Sequence, residues 1–137
     1  MTVSATRILL EVRFNDQWAS RTPIVWENVD YEPVSGTSFV TLKIVPNDSS
    51  YASMGNHPLV RSIGFVEINI MTPTIDTGAK IGDDLADAAI GIFKDSKGQG
   101  WQSGGLTCHA GYLENQMREG EWFRHIVIIP YTYDEHF

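Results

Sequence analysis

Four histidines, one cysteine and a trio of aspartates are the residues of this 137-residue chain from which a reactive site could be built. His57, His109, His125 and His136 show no close pairing such as H-x-x-x-H, the spacing that puts two imidazoles on one helix face, and no metal site is expected from them. Asp83, Asp84 and Asp87 have the oxygens to hold Mg²⁺, but the first turn of a helix also attracts carboxylates, and that reading is favoured. Cys108 and His109 are neighbours on an expected strand. Their side chains point to opposite faces, so the imidazole is badly placed to deprotonate the thiol, and Cys108 is assigned to the core. The chain contains no G-x-S-x-G, no P-loop and no G-x-G-x-x-G; Gly98-Gln99-Gly100 runs into Trp101-Gln102-Ser103 without a third glycine. The expectation is a protein without enzymatic activity and without a cofactor.

The aromatic residues say more. Trp18, Trp26, Trp101 and Trp122 fall at or near the ends of expected elements, while Tyr51 and Met54 lie between two expected strands. Large amphipathic side chains of this kind are enriched in interface cores. Trp26, Tyr51, Met54 and Trp101 are therefore the candidate interface residues, and the alternative for each is the rim of the hydrophobic core.

These residues must be positioned by a small domain. With 42% hydrophobic and 20% charged residues, the chain is expected to form one domain over residues 1–137, too short for separate cofactor and substrate domains. The net charge of −7 argues against a nucleic-acid grip, which needs a concentrated basic surface, and against anionic membranes. One cysteine rules out an internal disulfide, which fits synthesis in a cytoplasm. Ile8-Leu9-Leu10 is cut at once by Glu11 and is too short for a signal sequence. No run approaches the ~20 apolar residues of a membrane span.

Periodicity predicts a helix from Ser4 to about Trp18, capped by Ser4, with Ala5, Ile8, Leu9, Val12 and Phe14 as its apolar positions. Ile24-Val25-Trp26 is a short extended piece, and 28–37 reads as a loop. Strands are predicted over 38–45 and 61–71, joined by a long polar loop at Asn47–Leu59. A helix follows over 78–94, capped by Asp76 or Thr77, with Ile81, Leu85, Ala88, Ala89, Ile92 and Phe93 inward and Gly82 and Gly91 allowing close approach to the sheet. Residues 95–105 read as a loop, 106–112 as a strand, 115–120 as a turn and 122–133 as a final strand apolar on both faces. The fold class expected is α+β: a mainly antiparallel sheet of four to five strands flanked by two helices, with the long loop between the two central strands.

The phrase Thr22-Pro23-Ile24-Val25-Trp26-Glu27-Asn28-Val29, the strand Phe39 to Pro46, the texture Gly64-Phe65-Val66-Glu67-Ile68-Asn69-Ile70, the helix start Ile81-Gly82-Asp83-Asp84-Leu85-Ala86 and the ending Pro130-Tyr131-Thr132-Tyr133 span most of the chain. Together they resemble the tail terminator family of long-tailed bacteriophages. The resemblance implies a virion protein made in the host cytoplasm that assembles as a ring, usually of six copies, on the head-proximal end of the tail tube. Its implied partners are further copies of itself, the tail tube protein and a head–tail connector or stopper, with genome DNA passing through the lumen unbound. No active-site residue is carried over. The 47–59 segment is expected to contact the tube or a neighbouring copy. A sphere of radius of gyration about 14 Å is roughly 36 Å across, and six in a ring leave a hole that passes duplex DNA. An acidic ring would repel phosphates rather than trap them. The competing readings are another head–tail joining or neck protein, and a small α+β hydrolase or ligand-binding domain.

Overall fold

The structure, a computed structural model, describes residues 2–18, 21–27, 32, 37–51, 54–55, 59–73 and 78–136. The elements in chain order are α1 (Thr2–Trp18), β1 (Ile24–Val25), β2 (Phe39–Tyr51), β3 (Leu59–Pro73), α2 (Gly78–Ile92), β4 (Gln102–Ser103), β5 (Leu106–Cys108), β6 (Tyr112–Glu119) and β7 (Trp122–His136). The expected sheet of four to five strands flanked by helices is incorrect. Among the described residues strand predominates, in seven strands of one sheet that curls into a half-barrel. The strand order is β1-β2-β3-β7-β5-β4, with β6 also paired to β7, so β5 and β6 follow one another along the same edge of β7.

The three long strands are in register across one face of the sheet. Val40, Ile70 and His125 form one row, Leu42, Ile68 and Val127 the next, and Ile44, Val66 and Ile129 a third. All nine are buried. This alternation places every second side chain of each strand in the core. Both helices cover this side, joined by the Phe14–Phe93 stack at 6.3 Å between ring centroids and by hydrogen bonds from Arg13 to the carbonyls of Ile92 and Lys94 at 2.9 and 3.1 Å.

Of the long loop expected at Asn47–Leu59, Asn47–Tyr51 and Leu59 are strand, and 52–53 and 56–58 lie outside the described residues. β2 and β3 stay paired out to Tyr51 opposite Val60, and only a register shift between Pro46 and Asp48 marks the predicted stop. The Ile44 amide points away from β3, to Glu27 Oε1 at 2.6 Å. By the period of two, the nitrogen of Pro46 points to that same outer edge, where its missing N–H breaks no ladder bond. Ser4 is inside α1, which begins at Thr2, so its capping role falls. Residues Thr6, Leu10, Phe14 and Trp18 form the buried stripe, and Ile8 and Val12 are 59% and 53% exposed. Burying Phe14 and Trp18 outweighs burying the smaller residues, and this turns the helix away from the expected face.

α2 ends at Ile92 rather than Lys94; its inward side carries Gly82, Ala86, Ala89 and Ile92, with Phe93 buried just beyond its end, while Ile81 is exposed. Gly82 does lie against the sheet: a Cβ there would overlap the ring of His125. Gly91 faces open space, contrary to expectation. The expected 106–112 strand is interrupted after Cys108, and the expected turn at 115–120 is strand β6, which closes on β7 through Gly120 at φ 58°. The predicted caps Asp76 and Thr77 and most of the 28–37 loop lie outside the described residues.

Candidate functional site

Trp26 and Glu27 follow β1, which pairs in parallel with Val40 and Thr41 of β2. Trp26 is half-buried and packs on the edge of the core, lining a shallow hollow with Val25, Thr41, Lys43 and Asn69. Glu27 fastens this segment. Its carboxylate accepts the Ile44 amide and lies 3.3 Å from Arg7, which also reaches Glu11 at 3.2 Å. The hydrogen bond to Glu27 is the main reason the Arg7 guanidinium is held above its ordinary pKa.

The opposite end of β2 and β3 forms a hairpin tip. Tyr51 is 75% exposed and Met54 is 96% exposed. The stem is held by Arg61, whose Nε and Nη2 donate to the two oxygens of Asp134 across the β3–β7 pair at 2.8 and 3.1 Å. Ser49 and Ser62 hydroxyls bond across β2 and β3 at 3.0 Å. The tip thus presents an aromatic ring and a thioether on a braced support.

Trp101 is half-buried elsewhere on the molecule, between Phe93 and Arg13. Its ring meets Phe93 edge-on at 6.5 Å, and the Arg13 guanidinium lies 4.9 Å from its centroid. With Ile8, Leu9 and Val12 of α1 it lines an open groove of about 310 Å³, to which Arg13, Asp16, Gln17 and Ser103 also contribute. The structure therefore places the four candidate residues at three separate surfaces: Tyr51 and Met54 share the tip, Trp101 lines the groove, and Trp26 stands by β1. Ile8, Val12 and Arg13 were not singled out as site residues from sequence. The four-residue spacing of Thr6, Leu10, Phe14 and Trp18 was the signal that Ile8 and Val12 face outward.

Among the described residues, no group of three His, Cys, Asp or Glu side chains comes together as metal ligands would. His109 bonds the Thr132 hydroxyl at 2.8 Å, and His125 bonds Asp83 at 2.9 Å. His57 lies outside the described residues. Cys108 is buried, and burial pushes its thiol up to about 12, with Arg13 pulling weakly the other way. Tyr51 and Met54 are thus left uncovered beyond the β2–β3 pair, and the hollow beside Trp101 is mainly apolar.

One solved structure matches this fold over 98% of the present chain and 95% of its own, with a TM-score of 0.63 and 23% sequence identity, a likeness that concerns the fold alone. No curated protein sequence matches. A family model described as phage tail terminator protein matches residues 6–131, from Thr6 of α1 to Tyr131 of β7. The chain belongs to the phage tail terminator family.

Proposed function

We propose that this protein assembles as a ring of six copies on the head-proximal end of the phage tail tube, where it stops tube polymerisation and presents the surface that joins the head. The observation that carries the reading is the family match across residues 6–131. The structure supports it through two apolar surfaces left uncovered on a single copy, the tip with Tyr51 and Met54 and the groove with Trp101. Exposed apolar side chains gathered on a protrusion or in a groove mark contact sites. Trp26 is the third proposed contact, at the hollow beside β1.

The proposed neighbours are further copies of this chain, the tail tube protein and a connector or stopper on the head side. Genome DNA passes through the lumen without being held, and the charge of −7 per copy suits such a channel. A lumen lined by basic residues, with the carboxylates on the outer rim, would contradict the charge argument. The test of position is to label the chain in assembled tails and image them. The expected label is a single focus at the end that joins the head. Label along the tube or at the distal tip would overturn the assignment.

A further inference from the structure

We propose that the side chains of Glu27 and Asp48 seal the outer edge of β2 against strand addition, so that free copies of this chain do not join sheet edge to sheet edge. In an antiparallel pair, backbone amides point alternately toward the partner strand and away from it. The amides of β2 that point away from β3 form the row on which an incoming strand would build its hydrogen bonds. From Val40 to Pro46 these are the even-numbered ones: the Val40 amide donates to the Pro23 carbonyl at 3.1 Å and the Ile44 amide to Glu27 Oε1 at 2.6 Å. Leu42, between them, lies against the end of β1, where Val25 pairs with Thr41. Pro46 has no N–H to offer. The register shift between Pro46 and Asp48 moves the row to odd positions, and there the Ser49 amide donates to Asp48 Oδ1 at 2.8 Å. Between Val40 and Ser49 the row is thus covered by the β1 segment, capped by a carboxylate or deprived of its donor.

A carboxylate that accepts an edge amide does more than place a charge there, because it occupies the hydrogen bond that a neighbouring strand's carbonyl would make. Strand addition must first break that bond, and then bring carbonyl oxygens against the displaced carboxylate. Glu27 is the more firmly held cap, since Arg7 lies 3.3 Å from its carboxylate and is itself tied to Glu11. On the other side of the sheet, β6 is guarded by a different device. The register shift between Leu113 and Asn115 leaves Glu114 as an extra, charged residue in that strand, a bulge of the kind that blunts edges. An unsealed β2 edge laid on the β6 edge of the next copy would be a head-to-tail contact, and such contacts run on into fibres wherever the rotation does not close. The seal concerns the free chain and does not depend on the ring reading.

The test follows the free 137-residue chain by analytical ultracentrifugation, well below its unfolding midpoint. Glu27→Ala with Asp48→Ala should associate at about tenfold lower concentration than the parent chain, and the infrared band of intermolecular strands should appear with it. Glu27→Gln with Asp48→Asn keeps an acceptor oxygen at both places and should behave as the parent does. Unchanged association in the alanine pair, or equal association in the two pairs, would overturn the proposal. Because Glu27→Ala also loosens the fold, two further chains separate edge pairing from partial unfolding. Asp48 is exposed, and Asp48→Ala alone should show the same association in weaker form with its unfolding midpoint unchanged. Adding Ser49→Pro to the alanine pair removes an outward N–H and should restore the parent behaviour. Association that persists with the proline would overturn the seal, as would its absence in Asp48→Ala.

Discussion

His125 is buried in the middle of the sheet, with Nε2 bonded to Asp83 at the start of α2 and Nδ1 without a hydrogen-bond partner among the described residues. The imidazole fits because Gly82 lies above it. Gly82→Ala should therefore cost about 1–3 kcal/mol of stability through overpacking, measurable by denaturant unfolding. Gly91→Ala on the same helix meets open space and should be neutral or stabilising by up to ~1 kcal/mol. Equal effects at the two sites would contradict the placement of α2. Cys108 makes a separate prediction. Its folded pKa of about 12 exceeds the ordinary value of 9.0, so the unfolded chain loses its proton first as pH rises. The stability linked to this thiol is complete below about pH 9 and is lost as pH rises toward 12. A Cys108→Ala chain should show a shallower alkaline loss, read by thermal unfolding at stepped pH.

At the level of elements, Glu27 holds the edge of β2, and removing its carboxylate as Glu27→Ala leaves the Ile44 amide and Arg7 without it. The expected cost is about 1–3 kcal/mol, read as a lower unfolding midpoint. By contrast, Tyr51→Asp with Met54→Asp should leave the unfolding midpoint unchanged and impair assembly onto tails. Unfolding of that double variant would place the pair in a core. The strands richest in alternating apolar residues, around Val40–Ile44 and Val66–Ile70, were legible in the sequence because their periodicity reflects one-sided burial. The polar extensions Asn47–Tyr51 and Tyr112–Glu119 were not. Their side chains are mostly exposed, so their strand character comes from backbone pairing, which leaves little trace in residue type. α1 was recognisable as a helix, but several of its positions are apolar, and only packing decides which face is buried. Of the proposed contact residues, the exposure of Tyr51 and Met54 could be anticipated from their place between two strands, whereas the outward face of Ile8 and Val12 required the orientation of α1.

At the scale of the molecule, one chain leaves Tyr51 and Met54 exposed beyond the β2–β3 pair and an open apolar groove beside Trp101 on another part of its surface. In the proposed ring, the net charge of −7 on each copy would keep the channel from holding DNA. Capping the tube is the central claim, and tail length in particles assembled without this chain tests it most directly. The account predicts overlong tubes unattached to heads, restored to normal length when the chain is supplied in trans. Tails of normal length in its absence would contradict it.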